Sequence, residues 1–520
     1  MKKSIRRDEW ASLILVLAVA LGVFMRVNLT LLAGFAINDG GMFAMMVDDL
    51  RANHYLIPAF TSYNSSDIPF AYPPLGFYFG ALAVDIFKLS SVEVLRWLPP
   101  FFASLSIPAF YFLSLRIFND KYLASLSTLF FALMPRAFSW FVMGGGLTRS
   151  PGQFFMLLTL IFVLRLYEEN RRTDILRAGF FGGLAVMSHP EAAVHTVVSA
   201  ILFWVMLSRR RSTFIQSVLV GLVVVVVTAP WLGTVIGYHG VEPLFNAAAT
   251  GKKLIAVFNL VFFVFTEEPY ATFIAILGLI GLAHSLIRRE YLLPIWMAIP
   301  FFVEGRSAAG PAAIPLAMLA AIGLAEVILP ALQSSVKREA EPSEGISSIE
   351  RNVFFYLLLY LIFSAYQFGL QLSNATLYPQ DQEAMHWTRE NTPTNARFLV
   401  LTGSTSVSCD SVLEWFPALT GRRSLYTVQG AEWTRGEAFG AFIQETNDLQ
   451  ACFDEGPACV EDLIDPSDYD YVYLSKVLRV DNCQSLASAR VFTYFVESVQ
   501  LDNQYEVVYE TDGVMIYRPR

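Results

Sequence analysis

The stretch Ile37-Asn38-Asp39-Gly40-Gly41-Met42-Phe43 decides how this chain is read. It follows a basic start and an apolar run over residues 10–30, and it leads on to Asp48-Asp49 and then to Tyr72-Pro73-Pro74-Leu75. A helix of spanning length thus delivers one carboxylate, Asp39, to a membrane surface, beside glycines that allow close backbone approach. A carboxylate at a membrane boundary is costly unless it is solvated or used, so Asp39 is a functional candidate. The competing reading is a helix-capping or solvated loop aspartate.

Composition supports the membrane reading. The chain has 520 residues, 55% of them hydrophobic and only 16% charged, with a mean hydropathy of +0.48. A soluble protein of this size needs more charge to cover its surface, so a polytopic membrane protein is expected. The net charge of −8 is unevenly spread: residues 373–520 hold 22 Asp+Glu against 10 Lys+Arg, whereas residues 1–372 hold 23 against 27. The expected organisation is a transmembrane domain over 1–372, with a first outer loop at 31–96, and a solvated α/β domain over 373–520. Cys409, Cys452, Cys459 and Cys483 all fall in the second part. Disulfides there imply an extracytoplasmic compartment; four structural thiols are the alternative, and three pairings are open. The first apolar segment lacks a small-residue cleavage site and reads as an anchor.

Apolar runs near 10–30, 97–118, 121–142, 150–168, 175–188, 190–208, 213–236, 270–287, 291–304, 307–331 and 353–372 give about eleven spans. The runs 72–89 and 253–266 are assigned to interfacial helices, because counting the first alone as a span would put a cluster of arginines outside. With that assignment the N-terminus is cytoplasmic and the cysteine domain extracytoplasmic, in a plasma-membrane protein. In residues 1–372, 18 Lys+Arg then fall inside and 9 fall outside or within helices, as the positive-inside rule requires.

The outer face on this map collects the chemistry-bearing residues. The first loop carries Asp39, Asp48, Asp49, His54 and Asp67, and the next turn is Gly144-Gly145-Gly146-Leu147-Thr148-Arg149-Ser150. Ser188-His189-Pro190-Glu191 follows, then a loop with His239, Glu242, Lys252 and Lys253, then Glu267-Glu268-Pro269 and Glu304-Gly305-Arg306. Asp48 and Asp49 read as a structural or solvated pair, and Lys252-Lys253 as interface markers.

This layout resembles the GT-C superfamily of membrane glycosyltransferases: protein O-mannosyltransferases, aminoarabinose transferases and the oligosaccharyltransferase catalytic subunit. The matching parts are Asp39 in a long first loop, Tyr72-Pro73-Pro74-Leu75 at the entry to an interfacial helix, and Arg306 ahead of Pro311 and Pro315. Ala384-Met385-His386-Trp387-Thr388-Arg389-Glu390-Asn391-Thr392-Pro393 looks like the helix that opens the outer domain of related proteins. The resemblance implies transfer of a sugar from a polyprenyl-phosphate donor, within a membrane, to a protein, glycolipid or polysaccharide acceptor on the extracytoplasmic side. It implies Asp39 as catalytic base, Arg306 and Arg149 at the lipid phosphate, and His189, Glu191 and Tyr72 as substrate contacts. Gly144–Arg149, ahead of a helix start at Ser150-Pro151, would add backbone N–H groups to the phosphate. A divalent cation (Mg or Mn) at His189 and Glu191 is left open, since the second outer loop here lacks the acidic pair of metal-dependent members. Glu414-Trp415-Phe416-Pro417 is similar to the first residues of the oligosaccharyltransferase acceptor motif and departs afterwards; a buried aromatic turn is the competing reading.

The C-terminal part reads as strands at Arg397–Leu401 and Tyr471–Leu474, a helix at Ala487–Val499 and a hairpin over Glu506–Tyr517 about Asp512-Gly513. Three Asn-x-Ser/Thr triplets, at Asn28, Asn64 and Asn374, are near chance and say nothing of the acceptor. No nucleotide-binding or zinc motif is present, and no nucleic-acid partner is expected. Two other readings remain: a lipid-linked glycan flippase or transporter, which predicts polar residues in mid-membrane, and a non-catalytic glycan-binding assembly factor.

Overall fold

Single polar residues ahead of apolar runs cap three of the helices. Ser90 accepts the Glu93 N–H, Asp120 the Tyr122 and Leu123 N–H groups, and Ser347 the Glu350 N–H. The first helix, Arg7–Ala33, stops at Gly34 in the left-handed region (φ 69°). These elements come from a computed structural model of the protein, which describes residues 6–249, 256–336, 346–404, 407–478, 490–491 and 493–520.

The transmembrane part is mostly helical. Seven described helices are long and apolar enough to cross a membrane: 7–33, 91–118, 146–169, 190–208, 211–239, 309–335 and 348–373. An eighth span needs 121–133 and 135–142 to count together across an 85° bend, where Pro135 offers no N–H to continue the first helix. The other three expected spans are the helices Thr173–Ser188, Phe273–Ile287 and Leu292–Val303, all shorter than 18 residues. The first loop holds two short helices, Gly41–Ala52 and Leu75–Phe87. The second matches the expected interfacial stretch at 72–89; the resemblance implies two helices in this loop, but the sequence reading assigns no residues to the first. Of the 253–266 stretch, Ala256–Phe262 is helical, and Lys252-Lys253 lie outside the described residues.

Packing inside the bundle is close. A Cβ on Gly281 would meet the Leu319 carbonyl oxygen at 1.9 Å, so the helices 273–287 and 309–335 touch backbone to backbone. Arg26 is fully buried on the first helix, and its Nη1 donates to the Gly22 and Ala132 carbonyls at 2.9 Å each. This contact ties the first helix to 121–133 just before its break.

Beyond the last long helix, Pro379–Asn391 is helical, as the 384–393 segment implied. A five-stranded sheet follows, with the spatial order 423–424, 397–401, 471–475, 514–519, 505–510. The first three strands are parallel and the last two run antiparallel. Residues 471–475 are buried throughout, as a central strand covered on both faces must be. The hairpin about Asp512-Gly513 is present. The expected helix at 487–499 is corrected: Arg490–Val491 is a strand paired with Val477–Leu478, and the helix is Thr493–Leu501. Residues 487–489 and 492 lie outside the described residues. Cys452 pairs with Cys459, and Cys409 is also disulfide-bonded; Cys483 lies outside the described residues.

The C-terminal region sits on the first loop. Asn38 N–H donates to the Ala375 carbonyl at 2.6 Å, and Ile37 bridges to Thr376. The Asn64 side chain pairs with the edge strand in both directions, accepting from Ser424 N–H at 2.7 Å and donating to its carbonyl at 2.9 Å. This apposition closes a roof over Asp39.

Candidate active site

Asp39 lies between the first helix and Gly41–Ala52, and it is buried rather than solvated. Its Oδ1 accepts the Gly145 N–H at 2.7 Å, and its Oδ2 takes Arg149 Nη2 at 3.1 Å. The turn must be glycine for a steric reason: a Cβ on Gly144 would stand 1.7 Å from the Asp39 carbonyl oxygen, and one on Gly145 2.3 Å from Oδ2. The helix after this turn begins at Gly146, not at Ser150. That corrects the expected phosphate cradle, because the Gly145 N–H is spent on Asp39.

Arg149 projects from the first turn of the 146–169 helix and stacks over Trp140, 5.6 Å from the ring centroid. Its Nη1 is buried and has no hydrogen-bond partner within the described residues. Arg136 lies over the same Trp140 ring at 5.7 Å and is held by Glu267 at 2.7 Å. One guanidinium donor of Arg149 thus faces Asp39 while another is left over for an anion.

His189 ends the 173–188 helix and starts the next, and Gly152 on the 146–169 helix packs against it, since a Cβ there would meet His189 Cβ at 3.0 Å. Burial, then the charges of Arg149 and Arg306, hold the imidazole well below its usual range and keep it neutral. Its Nδ1 is 3.7 Å from Glu191 Oε2. The Tyr72 ring lies 6.0 Å from the His189 ring, 5.0 Å from Phe43 and 5.9 Å from Trp433. Burial pushes the Tyr72 hydroxyl up to about 12, so it stays a neutral donor. Arg306 is exposed and within electrostatic reach of Tyr72, His189 and Glu432. All six expected residues (Asp39, Tyr72, Arg149, His189, Glu191 and Arg306) therefore gather at one place.

The remaining acids of that side do other work. Asp48 pairs with Arg51 and Ser91, and Asp49 accepts from Thr61 and Ser62. Glu304 caps the turn at Ser307. His239 contacts the Ala59 carbonyl.

Both Asp39 oxygens are engaged by Gly145 and Arg149, and among the described residues no three His, Cys, Asp or Glu side chains converge to hold a metal ion.

Glu414 was missed as a member of this centre. It belongs to the helix Ser411–Thr420 of the C-terminal region, is buried, and its Oε1 accepts Gly40 N–H at 2.6 Å and Gly41 N–H at 3.1 Å. Trp415 Nε1 donates to the Asn38 carbonyl at 3.0 Å. Burial and the nearby Asp39 carboxylate raise the Glu414 carboxyl well above the usual range. The only hint in the sequence was the short aromatic-acidic motif, whose expected place was at the acceptor.

Comparison with known proteins agrees with this layout. Residues 71–233 match the family model described as dolichyl-phosphate-mannose-protein mannosyltransferase, a stretch that holds Tyr72, Arg149, His189 and Glu191 but not Asp39 or Arg306. No curated protein matches the chain by sequence. Among solved structures, the archaeal oligosaccharyltransferase AglB from Archaeoglobus fulgidus, in complex with an inhibitory peptide and a dolichol-phosphate, superposes with a TM-score of 0.60 at 16% identity, covering 90% of this chain and 69% of that one. ArnT from Cupriavidus metallidurans bound to undecaprenyl phosphate gives 0.55 at 13% identity, covering 98% and 97%. The arabinofuranosyltransferase AftD from Mycobacteria gives 0.55 at 13%, with this chain spanning 40% of its length. The chain thus shares the fold of these solved membrane glycosyltransferases, and part of it matches a mannosyltransferase family model.

Proposed function

We propose that this protein is a membrane glycosyltransferase that moves a sugar from a polyprenyl-phosphate donor to an acceptor on the extracytoplasmic side. The observation that carries the reading is the Asp39–Arg149 pair: a buried carboxylate fixed by Gly145 and Arg149, with an unused guanidinium donor beside it. The relatives bound to dolichol-phosphate and undecaprenyl phosphate support the donor class. The C-terminal disulfides and the charge asymmetry support an extracytoplasmic C-terminal domain over 373–520, a cytoplasmic N-terminus and eleven spans in a plasma membrane.

In this reading Asp39 accepts the proton of the acceptor hydroxyl as its oxygen attacks the anomeric carbon. The bond from that carbon to the phosphate oxygen breaks, and the lipid phosphate leaves with the electron pair. Arg149 and Arg306 stabilise the charge that develops there. Neutral His189 and Tyr72 donate hydrogen bonds to sugar or phosphate without repelling the arginines, and Glu191 orients His189. With Asp39 as base and neither Glu191 nor Glu414 acting as nucleophile in this reading, inversion at the anomeric carbon is expected; a product of retained configuration overturns that step.

The test uses the full chain in liposomes with radiolabelled polyprenyl-phosphate mannose, arabinofuranose and aminoarabinose, plus an envelope extract as acceptor source, with and without EDTA. Label transfer or donor hydrolysis from one of these donors is expected, unchanged by EDTA. No turnover of any donor by protein that still binds it contradicts the proposal and favours a carrier or binding protein.

A further inference from the structure

The backbone on both sides of Asp39 is hydrogen-bonded by the C-terminal region, in addition to the Gly144 N–H that donates to the Ile37 carbonyl at 2.9 Å. On the N-terminal side, the Asn38 carbonyl accepts Trp415 Nε1–H. On the C-terminal side, Glu414 Oε1 takes the N–H groups of Gly40 and Gly41, at the start of the Gly41–Ala52 helix. The approach is backbone to backbone, since a Cβ on Gly41 would stand 2.5 Å from the Glu414 carbonyl oxygen. That same carbonyl accepts the Tyr63 hydroxyl at 2.6 Å, which joins a second part of the first loop to the contact.

The clamp is rigid. Asp410 caps the helix that carries Glu414 by accepting the Val412 and Leu413 N–H groups. Trp415 is fully buried, with its ring 4.8 Å from Phe35. A carboxyl at a helix N-terminus, aimed at two N–H groups with no side chain between, fixes a backbone more tightly than a surface contact. The Asp39 side chain is then set from the other side by Gly145 and Arg149.

We propose that Glu414 is a positioning residue for Asp39, so that the C-terminal region completes the reaction centre instead of covering it. The inference rests on the reading of Asp39 as base. Glu414 reaches no expected substrate group; it acts through the Gly40-Gly41 backbone. The titratable or charged groups that face it are Asp39 on the first loop, Arg149 on the 146–169 helix and Tyr63 on the first loop.

The experiment compares Glu414→Gln, Glu414→Ala and Trp415→Phe with wild type and with Asp39→Asn in the liposome assay, using the radiolabelled donor that wild type turns over. Glu414→Gln keeps an oxygen that accepts both N–H groups, so its kcat is expected within about threefold of wild type, because the geometry is conserved. Glu414→Ala is expected to lose about a hundredfold in kcat with the donor KM unchanged, the size of a misplaced reacting group. Trp415→Phe keeps the ring and removes one N–H, so it falls in the same direction by about three- to tenfold, which answers the case in which Glu414→Ala fails to fold. Equal loss in Glu414→Gln and Glu414→Ala would make Glu414 a proton-transfer group and overturn the proposal. So would a loss confined to the acceptor KM, or wild-type kcat in Glu414→Ala and Trp415→Phe. Full turnover by Asp39→Asn fails the underlying base assignment separately, whatever the Glu414 variants do.

Discussion

Arg149 Nη2 stands 3.1 Å from Asp39 Oδ2, joining residues 110 positions apart across a turn of three glycines. The pair is mostly buried, so its attraction is little screened by salt, and breaking it leaves a charge without its partner. One arginine thereby fixes the candidate base and offers a second donor to the phosphate.

Removing that arginine tests the double role. Arg149→Ala is expected to lower kcat about a hundredfold or more, as loss of one preorganised donor does elsewhere. Arg149→Lys keeps the charge but not the planar fork, so partial activity is expected. Steady-state kinetics on both variants check this; a Lys variant as inactive as Ala would show that the fork geometry, not the charge, is essential.

The glycine turn gives a steric prediction. Gly144→Ala places a methyl group inside the Asp39 backbone and is expected to cost on the order of 3 kcal/mol of stability as well as activity. Gly145→Ala collides mainly with the Asp39 carboxylate and its arginine, so it should lose activity with a smaller drop in melting temperature. Thermal melting alongside kinetics separates the two. Equal, small effects would mean that the turn does not hold Asp39 this closely.

His189 gives a pH dependence with a definite sign. Its folded-state pKa lies below the unfolded value of about 6.5, so below that pH the unfolded chain binds a proton that the folded chain does not. Its contribution to stability is present above about pH 6.5 and is lost as the pH falls below it. Melting temperatures between about pH 5 and 7.5 should fall toward acid in wild type and fall less in His189→Gln. Parallel curves would show that His189 takes up its proton in the folded protein.

Asn64 tests the docking of the C-terminal region. Its amide closes the sheet edge at Ser424 from a left-handed backbone conformation (φ 57°). Asn64→Asp loses the donor to the Ser424 carbonyl, and a cost of about 1–3 kcal/mol is expected for the unmet buried group. Limited proteolysis of the 373–520 region should quicken accordingly. Unchanged digestion would place the docking strength elsewhere, at the Asn38 and Glu414 contacts.

Much of the site was legible because its members lie at the ends of hydrophobic runs, where a charged residue needs a reason to be. Asp39, Arg149, His189 and Arg306 are of that kind, and the strands Arg397–Leu401 and Tyr471–Ser475 are short continuous runs rich in apolar, β-branched or aromatic residues, which marks them as buried strands. Glu414 was not legible as a partner of Gly40, because the two are 374 residues apart and no local pattern reports such a contact. The start of the 146–169 helix was misplaced because Gly145-Gly146 reads as a turn, whereas the need there is for absent Cβ atoms beside Asp39. The helix Gly41–Ala52, one of the two that the resemblance implied for this loop, was given no residues because its glycine-led, Asp48-Asp49-containing sequence looks like loop until its buried face is seen.

The central claim is that the Asp39 carboxylate carries the transfer. It is tested most directly by single-turnover transfer of labelled sugar by wild type and Asp39→Asn, both shown to be folded and to bind donor equally. The account predicts that Asp39→Asn, isosteric and still able to accept the Gly145 N–H, loses transfer by about a thousandfold or more, the upper part of what a general base supplies. Transfer by Asp39→Asn at the wild-type rate would contradict it and move the search for the base to Glu191 or Glu414.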